Sequence, residues 1–217
     1  MRLLLFDTET TGLPKSKESA TRAPNNWPHL VSLAWIVLEN DQVVKEEYHV
    51  VKPEWEIPSE SSKIHGITQE YAETHGEPLA DVIDKFLQEP YDLLIAHNME
   101  FDFNVICNAI LWDLWKPLPV FGKRFCTMNT GRNICCIPSQ YYSGYKLPKL
   151  TELYEFVTGQ KPNPSQLHNS LYDTQLLKEI ILKSTVIRSI LGLNTTSVTN
   201  GDGIYTQKSR VLTLSFT

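Results

Sequence analysis

Apolar runs and stretches of alternating polarity predict four strands in the first half of the chain. Residues 2–6 form a short apolar run of the kind that a buried strand shows. Residues 31–38 and 43–51 are rich in β-branched and aromatic side chains and flank the turn pair Asn40-Asp41. They therefore predict an antiparallel hairpin. The apolar residues within 92–98 predict a fourth strand.

Helical spacing and capping residues predict the helices that follow these strands. Gly159 and Gly192 come directly after the last two helical segments, where glycine commonly ends a helix in the left-handed conformation. Three meandering strands followed by strand–helix units predict an α/β fold, with a mixed sheet and helices on both faces. The predicted helices cover residues 61–65, 68–74, 78–87, 100–114, 149–158 and 169–191.

The composition of the 217 residues is that of a soluble globular protein. Hydrophobic residues make up 41% and charged residues 21%, and 25 acidic against 20 basic side chains give a net charge of −5. We predict one domain over residues 1–192. Residues 193–217 are predicted to be a flexible spacer and an extended tail, because the polar stretch 194–203 has too few apolar side chains to bury.

The sequence predicts an intracellular, cytoplasmic protein with no membrane partner. Its apolar runs are far shorter than the roughly 20 residues that span a bilayer, and the N-terminus is too poor in apolar residues for a secretory signal. The four cysteines have no C-x-x-C spacing and are too few for a disulfide scaffold, so we expect reduced thiols.

Two acidic residues follow the first predicted strand. Side chains repeat every second residue in an extended chain, so Asp7 and Glu9 point to the same side. Such a pair is commonly just a solvated strand edge. At the end of an apolar strand, however, an unpaired carboxylate is costly and usually has a partner or a cation.

Two further pieces place polar groups at the start of helices. Asn98 is suited to cap the helix after the fourth strand, so that Asp102 lies in its first turns and faces Asp7 if the two strands are neighbours. His168 comes just before the last helix, and Asp173 lies in its first turns. Taken alone, Asp102 could simply stabilise the helix by its favourable interaction with the helix dipole, and His168 could be an ordinary loop residue.

Together these pieces resemble the DEDDh, or DnaQ-like, family of 3′-to-5′ exonucleases over about residues 3–185. The segment Ile64-His65-Gly66-Ile67-Thr68 also resembles one that this family carries between its first and second motifs. The three motifs are Phe6-Asp7-Thr8-Glu9-Thr10-Thr11-Gly12-Leu13, His97-Asn98-x-x-Phe101-Asp102 and His168-x-x-x-x-Asp173.

The resemblance implies a fold, a mechanism and a site. The implied fold is ribonuclease H-like with a five-stranded mixed sheet, and the implied general base is His168. The tyrosine-type sister class would need tyrosine at position 169, which is Asn169 here. The implied ligands of two divalent cations, Mg²⁺ or Mn²⁺, are Asp7, Glu9, Asp102 and Asp173. The implied substrate-binding residues are Thr8, Thr10, Thr11, Gly12, Leu13, His65 and Asn98.

Elementary electrostatics agrees with a metal centre. Two carboxylates about 4 Å apart repel by about 4 kcal/mol at an effective dielectric near 20, so four ionised ones cannot converge without a cation. Oxygen ligands without thiolates suit Mg²⁺ or Mn²⁺, and two such ions can stabilise both the entering and the leaving oxygen of a phosphoryl displacement. Imidazole, with an unperturbed pKa of about 6.5, can accept a proton near neutral pH.

The leading hypothesis is a 3′-to-5′ exonuclease that hydrolyses single-stranded or frayed DNA to nucleoside 5′-monophosphates, in proofreading or repair. An RNA-trimming exoribonuclease and a non-catalytic nucleic-acid-binding scaffold are the alternatives, because fold alone does not confer activity. Basic and aromatic residues that could bind the strand are also ordinary loop composition. They are Lys123, Arg124, Arg132, Lys146, Lys149, Tyr141, Tyr142 and Tyr145.

The end of the chain suggests a protein partner. The segment Val211 to Phe216 resembles the hexapeptide by which bacterial replication proteins bind the sliding clamp, although the usual leading glutamine is absent. The sequence therefore allows a clamp or polymerase partner. Its alternating Leu212, Leu214 and Phe216 also fit an edge strand packed on the domain.

Overall fold

The sheet combines an antiparallel half with a parallel half. The computed structural model describes residues 1–193, and within them the strand order is β3-β2-β1-β4-β5, with β1 in the centre. The pairs β1–β2 and β2–β3 are antiparallel, whereas β1–β4 and β4–β5 are parallel. The strands are β1 (Arg2–Thr10), β2 (Leu30–Glu39), β3 (Gln42–Val50), β4 (Leu93–Ala96) and β5 (Lys123–Cys126).

Helices cover both faces of this sheet, as predicted. The helices are α1 (Ser59–His65), α2 (Gln69–His75), α3 (Leu79–Leu87), α4 (Met99–Asn108), α5 (Thr127–Cys135), α6 (Leu150–Thr158), α7 (Ser170–Lys183) and α8 (Thr185–Ile190). After α4 the chain continues as a π-helical turn, Ala109–Asp113, in which the amide of Leu114 bonds the carbonyl of Ala109.

The alternation of side chains along β1 builds two cores. Leu4 and Phe6 point to one face, where they join a buried cluster with residues of α3 and α4. Leu3 and Leu5 point to the other face and join a cluster with residues of α6, α7 and α8. Because β1 is buried on both faces, its backbone is held firmly in place by the packing around it.

The predicted hairpin is confirmed. Asn40 and Asp41 have φ of 52° and 66°, which is the pair of positive values that a tight two-residue turn between twisted strands requires. Asp41 also accepts two hydrogen bonds from the buried guanidinium of Arg188, at 2.9 and 2.7 Å, which ties the turn to α8.

One strand–helix unit was not located from the sequence. The strand β5 is only four residues long and begins with Lys123 and Arg124, so it shows no apolar run. The helix α5 contains Gly131, which reads as a helix breaker. In the structure a Cβ at Gly131 would lie 2.8 Å from Cγ of Pro148, so this glycine permits close packing that sequence periodicity does not reveal.

The prediction of one long helix over residues 169–191 is wrong, because the helix is interrupted at Ser184. The Ser184 backbone is extended, and its hydroxyl accepts a hydrogen bond from the amide of Ile187 at 3.3 Å. A serine at this position starts a new helix, α8, instead of continuing α7. The boundary predicted at residue 192 stays a prediction, since the spacer and tail lie outside the described residues.

The length of β1 positions the candidate site. The strand was predicted to end at Phe6 but runs to Thr10, and it pairs with β4 only as far as Leu5. The segment from Asp7 onward therefore extends beyond the end of β4, and the helix that follows β4 can fold over it.

None of the helices within residues 1–193 is both long and apolar enough to span a bilayer.

We predict that Ser184→Ala lowers the free energy of unfolding by about 1 kcal/mol, because the first turn of α8 loses its capping oxygen. Urea denaturation of the full chain measures this change. Ser189→Ala, on the exposed side of α8, is the matched control and should be close to neutral. Equal stability of the two variants would contradict the capping role.

Candidate active site

Three carboxylates from two elements converge at the end of β1. Oxygen atoms of Asp7, Glu9 and Asp173 all lie within 4.8 Å of one another, and each side chain is partly exposed to solvent. Asp7 and Glu9 share a face of β1, and Asp173 lies in the first turn of α7, which packs on that face. The structure thus brings together acids that are more than 160 positions apart in the chain.

Asp102 approaches the same place from α4. It is buried, and its Oδ1 accepts hydrogen bonds from the Thr8 hydroxyl at 2.8 Å and from the Thr8 amide at 3.2 Å. Its negative charge acts on both Asp7 and Glu9. The fourth predicted acid therefore belongs to the cluster.

His168 is exposed beside the cluster and precedes α7. Its φ of 61° lies in the left-handed region, which is uncommon for a residue with a Cβ. Asn169 caps the helix through a hydrogen bond from the amide of Tyr172 to its Oδ1 at 3.1 Å. This local geometry sets His168 outside the helix and Asp173 within its first turn.

Burial raises the pKa values of all four acids, and the charges of neighbouring acids further raise those of Asp7, Glu9 and Asp102. Burial, then the charges of Asp173 and Asp102, raise the pKa of Glu9 to about 9. Burial raises the pKa of Asp102 to about 7 and that of Asp173 to about 6. The pKa of Asp7 lies well above its usual value because of burial and the charges of the other three.

The donor set fits a divalent cation. No lysine or arginine within residues 1–193 is among the groups that act on the pKa values of these acids. Oδ1 of Asp173 is buried and has no hydrogen-bond partner in the described part of the chain. An unsatisfied carboxylate oxygen among other carboxylates is what a hard cation would complete.

A cleft of about 640 Å³ opens beside His168. It runs between α1 and the start of α7, with His65 on one wall and His168 on the other. His65 is buried, and its Nδ1 accepts a hydrogen bond from the amide of Ile67 at 3.1 Å. Burial lowers the pKa of His65, which favours the neutral ring.

Asn98 stands at the start of α4, but it does not cap the helix as predicted. Its φ is 72°, and its side chain makes no capping hydrogen bond.

The neighbouring His97 was not among the predicted site residues. Its Nε2 donates to the carbonyl of Pro148 at 3.1 Å, and its Nδ1 accepts from the Thr127 hydroxyl at 3.0 Å. Burial lowers the pKa of His97 to about 4, so a neutral ring joins β4, α5 and the residues before α6.

The threonine hydroxyls after Asp7 bond within the protein. Thr10 donates to the carbonyl of Gly12 at 2.8 Å, and Thr11 accepts from the amide of His29 at 3.0 Å. The chain then turns at Gly12, whose φ of 155° suits glycine. Leu13 follows and is 81% exposed, so its apolar side chain is open to solvent.

The basic residues suggested as phosphate partners are spread over the surface. Lys123 and Arg124 lie at the start of β5, at the end of the sheet away from the acids, and Arg124 stacks over the ring of Phe103 at 3.9 Å. Lys146 is paired with Glu152 at 2.6 Å. The exposed tyrosines of the loop before α6 include one whose side chain is 93% exposed, Tyr141.

Comparison with known proteins identifies the family. The family model described as an exonuclease, RNase_T, matches residues 4–181. The chain belongs to this exonuclease family. It is therefore a nuclease, and the resemblance of its motifs to the DnaQ-like group is confirmed.

Two relatives with curated names show how much of each sequence the similarity covers. DNA polymerase III subunit epsilon of Rickettsia prowazekii is 27% identical over 190 residues, covering 85% of this chain and 74% of that protein. A PolC-type DNA polymerase III of Mycoplasmopsis pulmonis is 25% identical over 181 residues, or 82% of this chain. The chain spans only 11% of the length of that polymerase.

Solved structures confirm the ribonuclease H-like fold. Exonuclease X in complex with 5′-overhanging duplex DNA has a TM-score of 0.58 at 23% identity, over 88% of this chain and 94% of that one. Escherichia coli Exonuclease I in complex with a dA16 oligonucleotide has a TM-score of 0.64 at 17% identity. That match covers 88% of this chain and 43% of the other.

We predict that Asp7→Asn stabilises the metal-free protein increasingly as the pH rises from 5 to 9. The cluster's pKa values in the folded protein lie above the roughly 4 of an unfolded chain, so the folded protein binds more protons and loses stability as the pH rises through 6, 7 and 9. Removing one repelling charge relieves that loss. Urea denaturation in EDTA at several pH values measures the difference from the parent.

The control is Asp81→Asn, at an exposed position of α3. Its difference from the parent should not follow pH in this range. A stability difference for Asp7→Asn that stays constant or shrinks toward pH 9 would contradict the proposed repulsion.

Proposed function

We propose that the protein is a 3′-to-5′ exonuclease that hydrolyses single-stranded or frayed DNA to nucleoside 5′-monophosphates. One observation carries the proposal: the oxygens of Asp7, Glu9 and Asp173 converge within 4.8 Å, without a basic partner in the described chain and beside the exposed His168. Membership of the exonuclease family and the DNA bound by its structural neighbours support it.

Asp7, Glu9, Asp102 and Asp173 would hold two divalent cations, Mg²⁺ or Mn²⁺. When bound, such cations supply positive charge that stabilises the reacting phosphate and activates water for attack. The carboxylates fix the place where this charge sits. Because they come from β1 and from α4 and α7, which pack on opposite faces of that strand, the site needs little rearrangement to act.

His168 would act as the general base. Its ring is exposed at the edge of the cleft, within reach of solvent, so it can accept a proton from the attacking water and pass it on. The positive φ at His168 supports this role, because strained backbone is often retained where a side chain must point to a site.

Thr10, Thr11, Gly12, Leu13, His65 and Asn98 would surround the terminal nucleotide. The exposed Leu13 can contact a base, and the amides of Gly12 and Leu13 donate to no atom of the described chain, so they remain available to the nucleotide. His65 faces the same cleft as His168. A free 3′ end would thus meet both apolar and polar contacts next to the acids.

The proposal is tested with 5′-labelled and 3′-labelled single strands of matched DNA and RNA, in Mg²⁺, Mn²⁺ or EDTA. We expect progressive shortening of 5′-labelled DNA, immediate release of a labelled mononucleotide from 3′-labelled DNA, and no reaction in EDTA. Faster digestion of RNA would instead favour the exoribonuclease alternative. Absence of cleavage of either polymer would favour the binding scaffold.

Two substitutions test the roles of the acids and the base. His168→Ala should slow cleavage by about 10²- to 10⁴-fold while Mn²⁺ binding is retained, because only proton transfer is lost. Asp173→Asn should lose both cleavage and Mn²⁺ binding. His75→Ala, an exposed histidine of α2, is the matched control with parental activity. Parental rates in both site variants would show that the site is wrongly assigned.

We also propose that the end of the chain tethers the enzyme to a sliding clamp or a polymerase. The resemblance of Val211 to Phe216 to a clamp-binding hexapeptide supports this, as does similarity to subunits of DNA polymerase III. An immobilised bacterial sliding clamp should retain the full chain more strongly than a truncation after Gly203. Equal retention would overturn the tether.

A further inference from the structure

Thr8 lies between two of the cluster's carboxylates but bonds a third. Its hydroxyl donates to Oδ1 of Asp102 at 2.8 Å, and its amide donates to the same oxygen at 3.2 Å. Thr8 is 7% exposed and Asp102 is 3% exposed, so both bonds are shielded from water. A single residue of β1 thus makes two hydrogen bonds to one carboxylate oxygen of α4.

The register of β1 explains this arrangement. Asp7 and Glu9 point toward the face covered by α7, whereas Thr8 points toward the face covered by α4, on the same side as Phe6. The β1–β4 pairing ends at Leu5, so the Thr8 amide has no β4 partner and bonds Asp102 instead. Thr8 is therefore a direct link between the two acids of β1 and the acid of α4.

Asp102 needs such a link because its surroundings repel it. It faces three other carboxylates, and the described chain offers it no basic partner. Two donors on Oδ1 hold the carboxylate in one orientation and leave Oδ2 without a donor from Thr8. Hydrogen bonds of this kind, made by residues behind a metal ligand, orient the ligand and set its affinity for the metal.

We propose that Thr8 is a positioning residue, which orients Asp102 for a divalent cation rather than contacting the substrate. This inference rests on the proposed function, since it assumes that the acid cluster binds metal. It assigns the threonine hydroxyl a role distinct from those of Thr10 and Thr11. It also predicts that a donor at position 8 matters more than the shape of the side chain.

The test measures Mn²⁺ binding to the full-length protein by the loss of the free-ion electron paramagnetic resonance signal. Thr8→Val keeps the shape and the strand propensity but removes the hydroxyl donor, and it should weaken Mn²⁺ binding by about 10-fold or more. Thr8→Ser keeps the donor and should bind Mn²⁺ within about 3-fold of the parent, a smaller change than the 10-fold expected of a lost contact. Thr158→Val, which loses a hydroxyl bond to Tyr154 in α6, is the matched control.

Thermal unfolding in EDTA confirms that each variant is folded before its affinity is compared. Weak binding by Thr8→Val with recovery in Thr8→Ser supports the inference. Equal Mn²⁺ binding by the parent and Thr8→Val overturns it while the metal site itself stands. If the parent binds no Mn²⁺, both the inference and the proposed metal centre are wrong.

Discussion

Repulsion among carboxylates is the interaction on which the candidate site depends. Four acids from three elements meet around the end of β1, where burial raises the pKa values of all four and mutual repulsion further raises those of Asp7, Glu9 and Asp102. Such a cluster stores unfavourable energy unless protons or cations neutralise it. The rest of the fold holds it in place, because β1 is packed on both faces and cannot move the acids apart.

The same packing gives the two faces of β1 different roles in the site. One face carries Asp7 and Glu9 toward Asp173 on α7, and the other carries Thr8 toward Asp102 on α4. A strand that extends past its parallel neighbour is what allows both. Hydrophobic burial of Leu3 to Phe6 thus anchors a polar segment only a few residues away.

The sequence was sufficient where the signal is local. The hairpin and the pairing of Asp7 with Glu9 on one side of the strand follow from short patterns, and the structure shows both. The unit β5–α5 could not be located, because a four-residue strand that begins with two charged residues is stabilised by its pairing with β4 and not by a local apolar pattern. The hydrogen bond from Thr8 to Asp102 joins residues 94 positions apart, so no local sequence pattern predicts it.

The central claim is that these acids form a cation site, and diffraction from crystals containing Mn²⁺ tests it most directly. Anomalous difference maps locate manganese independently of any assumption about the ligands. The account predicts an anomalous peak bounded by the carboxylates of Asp7, Glu9 and Asp173. A map without a peak there, with these carboxylates bonded only to one another or to water, would contradict it.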